Sequence, residues 1–253
     1  MRKWSEGLNP PIDDIFIADL HLSAETPDTV RAFFAFLAGA AASAQRLFIL
    51  GDLFEYWAGD DDIDTPFNTG VCERLRTLVD QGTEVAFMAG NRDFLIGQRF
   101  SDVTGIRLLN DPTVIETAGH RVLLLHGDTL CTDDRAYQDF RAQVRNPVWQ
   151  RAFLAKPLSE RKAIIAQVRE HSEAAKQANA MEIMDVNEDA VRAAFLAHDC
   201  EHMIHGHTHR PATHAMTING TACERWVLAD WHGNAPCIVS RSGALSRAAD
   251  LSD

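Results

Sequence analysis

The sequence predicts an α/β layered fold, and two features of the chain carry that prediction. Short apolar runs recur, each ending abruptly at a polar cluster, as buried strands do. Between the early runs lie stretches with helical spacing of apolar residues, and strands alternating with helices imply stacked layers. A chain of 253 residues has room for one substantial core, or for one large domain carrying a smaller insertion.

In order along the chain, Ile15–Ala18 precedes Asp19-Leu20-His21, and Leu47–Leu50 precedes Gly51-Asp52. Val85–Ala89 precedes Gly90-Asn91-Arg92-Asp93, and Val122–Leu125 precedes His126-Gly127-Asp128. His202–Ile204 precedes His205-Gly206-His207-Thr208-His209. Helices are expected near Pro27–Ala42 and Phe67–Gln81. Trp226–Ala229 and Cys237–Ser240 read as further strands with no ligand cluster behind them. Strand ends converge in such folds, so the five clusters can meet at one rim. From Thr132 to His198 the rhythm breaks into helical sequence interrupted by Pro147 and Pro157. A helical cap insertion over 132–198 accounts for this, with the core formed by 12–131 and 199–245. Residues 1–11 suggest no role.

With 46% hydrophobic and 24% charged residues, the composition excludes wholesale disorder. A formal net charge of −12 argues against nucleic-acid binding and leaves acids to serve as metal ligands. The cysteines at 72, 131, 200, 223 and 237 form no CxxC pair, which fits reduced thiols rather than a disulfide framework or structural zinc. Met1–Pro11 holds no apolar run resembling a signal peptide, and no segment reaches the roughly 18 to 20 apolar residues of a membrane span. The expectation is a cytoplasmic protein, free to sit on a membrane surface, with no obligate protein partner in evidence.

The clusters offer Asp19, His21, Asp52, Asn91, His126, His207 and His209: oxygen and nitrogen donors, with no thiolate. D-x-H and H-x-H place alternate side chains on the same side, so both can reach one ion. Two divalent cations about 3.5 to 4 Å apart need a bridging ligand, and a carboxylate serves well. Asp52, alone behind its strand, is the natural bridge. The mixed donor set suits two Mn²⁺ per chain, with Fe²⁺, Co²⁺ or Zn²⁺ as alternatives. Singly these patterns are weak, since D-x-H is common at caps and Gly-Asn-Arg-Asp makes a turn. All five in this order, each behind an apolar run, are hard to explain as packing.

In that order, D-x-H, GD, GNRD, HGD and GHTH resemble the signature of the calcineurin-like metallophosphoesterases over about residues 15 to 211. The resemblance implies a two-sheet β-sandwich flanked by helices, with a dimetal site at the strand ends. It implies one ion on Asp19, His21, Asp52 and His209, and a second on Asp52, Asn91, His126 and His207. Wider stretches, Asp52–Trp57, Gly90–Leu95, His126–Asp134, Ile183–Asn187 and Gly206–Pro211, resemble the lipid A branch of that family. Its members are manganese-dependent pyrophosphatases that split a diacylated UDP-glucosamine, a lipid-linked nucleotide sugar, into UMP and a diacylated sugar 1-phosphate. The expectation that follows is a protein peripherally associated with the cytoplasmic face of the inner membrane.

Many relatives carry His where this chain has Arg92. A phosphate leaving group is a weak base and needs no general acid, whereas charge on the equatorial oxygens needs a cation, and a guanidinium supplies one. Arg92 is on this ground a candidate catalytic residue, and Asn91 and His126 are named beside it as candidates from the metal cluster. For substrate contacts the resemblance points to Asn91, Arg92, Asp134, Ser172 and His207. It also points to Lys176 and Asn179, whose order is the reverse of the family pattern; either the two groups are exchanged on neighbouring helical turns or one contact is given up.

Between Arg141 and Lys176 the sequence has eight Lys or Arg and three Glu, a basic segment in an acidic protein. Phe153, Leu154 and Leu158, then Ile164, Ile165 and Val168, recur there at helical spacing. Helices packing on one another explain this pattern. So does an acyl groove with a basic rim facing anionic headgroups, lined by Phe153, Leu154 and Ile164, with Trp57 closing the other side. Two rivals remain: a phosphoesterase of the same fold with a soluble nucleotide or phosphoester substrate, and a non-catalytic module. The second would be expected to have lost several of the seven ligand positions, all of which are occupied here.

Overall fold

In the computed structural model the chain begins with β1 (Ile12–Ile17), α1 (Pro27–Ala38), β2 (Ala44–Ile49), α2 (Pro66–Asp80) and β3 (Glu84–Met88). α3 (Gln98–Thr104), β4 (Arg107–Leu109), β5 (Thr113–Thr117) and β6 (His120–Leu125) follow. Four helices come next: α4 (Arg135–Val144), α5 (Pro147–Leu154), α6 (Leu158–Ala178) and α7 (Glu188–His198). The chain closes with β7 (His202–His205), β8 (Thr213–Ile218), β9 (Thr221–Val227), β10 (Cys237–Arg241) and β11 (Ala244–Ala248). The structure describes residues 12–178 and 185–251, the side chains of 170–178 excepted.

The early helices show why the sequence stops where it does. Pro27 opens α1 with a preset φ, and Thr29, Ala32, Phe33, Phe36 and Leu37 form its buried stripe. The helix ends at Gly39, short of the expected Ala42, and Ala41–Ser43 make a separate tight turn. α2 repeats the device with Pro66 and the buried stripe Val71, Cys72, Leu75 and Leu78.

The strands form two sheets, ordered β11-β10-β1-β2-β3-β4 and β5-β6-β7-β9-β8. β1 to β4 run parallel, as do β6, β7 and β9. Phe16, Phe48 and Met88 from the first sheet meet Val122, Leu124 and Ile204 from the second in an apolar layer between them. Alternate residues of the same strands, Ile15, Ile17, Leu47, Ile49 and Phe87, pack with Phe33, Phe36, Leu75 and Phe100 of the covering helices. Both faces are buried, so the strands read as unbroken apolar runs. The result is a two-sheet sandwich with helices outside.

The stretch expected as one cap, 132–198, divides by its packing. β6 and β7 are parallel and need a crossover. α7 supplies it, with Val191 and Phe195 packed among Leu123, Leu125 and Met203. α4 to α6 stand apart from that layer. Asn187 closes the excursion: its Oδ1 caps α7 at Asp189 and Ala190, while its Nδ2 donates to Asp133 ahead of α4. The core also runs past 245, since β11 ends at Ala248 and Leu251 packs on the helical side of the first sheet.

Several cations tie the excursion to the core, among them Arg161, Lys162 and Arg145. Arg161, 2% exposed, donates to the Ala58 carbonyl and to Asp61. Lys162 lies 2.6 Å from Asp62, and Arg145 donates to the Ala89 and Gly90 carbonyls at 3.1 and 2.8 Å. No disulfide joins any of the five cysteines, and all five are buried. Burial pushes Cys72, Cys131 and Cys237 up to about 12, which makes them inert thiols. Among the described residues no helix is long and apolar enough to cross a membrane.

Candidate metal centre and substrate cavity

The C-terminal ends of β1, β2, β3, β6 and β7 deliver the five polar clusters to one rim. Hydrogen bonds lock neighbouring loops together: Asp19 N donates to Gly51 O at 3.1 Å, and His21 N to Asp52 O at 3.0 Å. Five donor residues leave their strands with left-handed backbone, Asp19, His21, Asp52, His207 and His209, at φ between 49° and 69°. That region is disfavoured for side chains with a Cβ, and such strain collects at functional sites. The sharp turns aim alternate side chains inward, where extended backbone would splay them.

All seven expected donors lie together. His21 Nε2 and His209 Nε2 are 3.4 Å apart, and His209 Nε2 is 3.6 Å from Asp19 Oδ1. On the other side, Asn91 Oδ1 lies 3.0 Å from His126 Nε2 and 2.8 Å from His207 Nδ1. Asp52 stands between the two groups: its Oδ2 is 3.9 Å from His21 Nε2 and its Oδ1 is 3.9 Å from His126 Nε2.

The outer nitrogens reveal what the inner ones are for. His126 Nδ1 donates to the Leu50 carbonyl at 2.8 Å. His21 Nδ1 faces Glu55 at 3.1 Å, and His209 Nδ1 faces Asp230 at 3.2 Å. An imidazole tethered on one side to a carboxylate or carbonyl presents its other nitrogen as a ligand, the usual arrangement around bound metals. Asp19 Oδ1 is fully buried and accepts no hydrogen bond. Tethered imidazoles, an orphan carboxylate oxygen and an acid between two donor groups fit a pair of divalent cations. Asp19, His21, Asp52 and His209 could hold one, and Asp52, Asn91, His126 and His207 the other.

The electrostatics point the same way. Burial alone would push the His126 imidazole down, but Asp52, Asp128 and Asp19 carry it up to about 9. Burial raises Asp19, and the nearby imidazoles, with His209 Nε2 at 3.6 Å, overcome this and hold it at about 2. An imidazolium thus supplies the positive charge these carboxylates demand. Because a metal requires neutral imidazole, cation binding must displace that proton. We predict that affinity for Mn²⁺ rises with pH from 6.5 towards 8, with roughly one proton released per chain from His126. Titration calorimetry in two buffers of different ionisation enthalpy checks it; a pH-independent affinity with no proton release overturns it.

Sequence reasoning missed the residues behind these donors. Asp93, fully buried, accepts from the backbone N–H groups of Leu53 at 2.7 Å and Gly90 at 2.8 Å, joining the two loops. Burial and the Asp52 charge raise it to about 7. Glu55 links His21 to two arginines, with Arg92 Nη1 at 3.7 Å and Arg169 Nη2 at 2.6 Å. Asp230 follows β9, a strand expected to end without such a group. Gly90 and Gly206 had a legible signal, since each sits beside a ligand: a Cβ would overlap the Asp52 carboxylate at Gly90 and the Asp19 carboxylate at Gly206.

A cavity of about 580 Å³ opens on the donors, with Asn91, Arg92, Asp134, His207 and His209 at its polar end. Trp57, Phe153, Ile164, Ile165 and Val168 line the remainder. Trp149 stacks on Phe153 at 4.8 Å and joins the apolar wall. Leu154, expected in this groove, is 41% exposed and lies outside the lining. Asp134 also caps α4, accepting from Tyr137 N at 3.0 Å. Ser172 and Lys176 fall on α6 where side chains are not described, and Asn179 lies outside the described residues.

A family model described as calcineurin-like phosphoesterase matches residues 15–211. A protein of Aromatoleum aromaticum named UDP-2,3-diacylglucosamine hydrolase is 55% identical over 88% of this chain and 90% of its own length. Proteins of the same name from Chromobacterium violaceum and Escherichia coli O81 are 52% and 49% identical, each over 86% of this chain and 90% of their own length.

Proposed function

The chain belongs to the calcineurin-like phosphoesterases and, within them, to the UDP-2,3-diacylglucosamine hydrolases, and from that premise we propose how its residues divide the work. The reaction is hydrolysis of the pyrophosphate bond of UDP-2,3-diacylglucosamine to UMP and 2,3-diacylglucosamine 1-phosphate (lipid X), a step of lipid A biosynthesis. One observation carries the substrate assignment: a single cavity runs from the metal donors to an apolar wall, so a pyrophosphate and acyl chains can occupy it together. A small polar substrate would not require the apolar wall that Phe153, Ile164, Ile165 and Val168 give this cavity.

Two Mn²⁺ ions are the proposed cofactors, with Fe²⁺, Co²⁺ and Zn²⁺ the alternatives for these donors. When bound they would activate water and offset phosphate charge. Arg92, held near Glu55 at the cavity's polar end, neutralises oxygens that gain charge as the bridge breaks. Asn91, Asp134 and His207 contact the headgroup, joined by Ser172, Lys176 and Asn179 from α6 and beyond. His126 serves as ligand and, through Asn91, orders the polar end.

α4 to α6 serve as the cap. They carry exposed apolar side chains beside the cavity mouth: Val148 is 66% exposed, Phe140 40% and Leu154 41%. With Arg151 and Lys156 alongside, this rim suits the anionic cytoplasmic surface of the inner membrane, from which the acyl chains would be drawn. The deciding assay follows UMP release from UDP-2,3-diacylglucosamine beside UDP-glucosamine, with Mn²⁺. Turnover of the diacylated compound alone is expected. Equal turnover of both would remove the acyl-groove reading and leave a phosphoesterase for soluble nucleotides.

A further inference from the structure

A second cavity, of about 270 Å³, adjoins the loop that carries His207 and His209 and shares Thr208 and Arg210 with the substrate cavity. Its depth is set by β9, where Cys223, Arg225 and Val227 alternate onto the covered face of the second sheet. Arg225 therefore occupies a place in an apolar row. It is 8% exposed and sits directly opposite His214 on β8, which also lines the cavity.

The Arg225 guanidinium is only partly used. Nη1 donates to His205 Nε2 at 3.0 Å, and His205 Nδ1 donates in turn to the Gly206 carbonyl at 2.8 Å. Arg225 Nε is buried and makes no hydrogen bond. Among the described residues no carboxylate pairs with Arg225; Asp185, which lines the same cavity, is paired with Arg210. Thr208 Oγ1 is also buried without a partner and lines the same space. Arg225 and Thr208, each with a buried donor that has no hydrogen-bond partner, thus both line one small cavity.

A guanidinium out of water needs an acceptor that also carries negative charge, and water meets only the first requirement. A tetrahedral oxyanion meets both, with oxygens for Nε–H and for the hydroxyl at once. We propose that this cavity binds a phosphate group, held by Arg225 and Thr208 with Arg210 and His214 at its wall. Such a ligand would lie against the loop that positions two metal donors, joined to it through the Arg225–His205–Gly206 hydrogen bonds.

Titration calorimetry of inorganic phosphate, and separately of UMP, into the Mn²⁺-loaded protein tests this. The wild type is expected to take up one phosphate more than the metal centre accounts for. Thr208→Val and Arg225→Gln should each lose that extra equivalent and keep the other. If UMP displaces the extra phosphate, the physiological source is a nucleotide; if it does not, the source is free phosphate. A single binding event in the wild type, or two retained in both variants, overturns the proposal. Thr208→Val removes one hydroxyl at nearly constant shape, so it decides the matter even if Arg225→Gln does not fold.

Discussion

Asp52→Ala is expected to lower hydrolysis of UDP-2,3-diacylglucosamine by on the order of 10³-fold or more, and to lower the content of both metal ions together. The geometry sets that size. Asp52 is the donor whose two oxygens face different groups, His21 on one side and His126 on the other. Removing it strips a ligand from each proposed ion and leaves two donor groups with no shared charge. Dimetal stabilisation is worth several kcal/mol, and about 1.4 kcal/mol is a decade in rate. His209→Ala touches one group and should spare the second ion, so elemental analysis of the two variants separates bridge from terminal ligand. Asp52→Ala protein that retains two equivalents would sink the bridging assignment. A folding control is needed, because Asp52 is buried and its Oδ1 accepts from Arg92 N at 2.8 Å.

The sequence made the donors legible and left their aim hidden, for a physical reason. An apolar run ending in Asp-x-His or His-x-His betrays a buried strand with polar groups at its tip, because burial on both faces forces unbroken apolar sequence. The left-handed turns at Asp19, His21, Asp52, His207 and His209 leave no such mark, since none of these is glycine. Glu55 and Asp230 were equally silent: each acts on a histidine distant in sequence, and pairing across loops has no periodicity. The missed strands β4, β8 and β11 are largely exposed and β5 is mostly half-buried, so alternation had little to record. α7 was absorbed into the cap because helical spacing names a helix and not the layer it covers. Only the parallel pairing of β6 with β7 shows that α7 is a crossover.

Arg92→Met is the second variant with a large expected effect: kcat for the diacylated substrate should fall by roughly 10² to 10³-fold, the usual loss when one preorganised charge-stabilising donor is removed. Metal content should not change, because no proposed ligand is altered and the Arg92 backbone N–H, which holds Asp52, survives the substitution. The side chain stands at the polar end of the cavity beside Glu55, itself tied to His21 and Arg169, so the guanidinium is positioned before substrate arrives. Lysine should restore little: a point charge on a flexible stem lacks the planar fork that meets two phosphate oxygens at once. The split between parameters is the informative part. If Arg92 merely binds the ground state, KM rises and kcat holds. If it neutralises charge that appears as the pyrophosphate bond breaks, kcat falls with little change in KM. Measured kcat and KM for wild type, Arg92→Met and Arg92→Lys distinguish the two, and an unchanged kcat would move Arg92 from the chemistry to substrate capture.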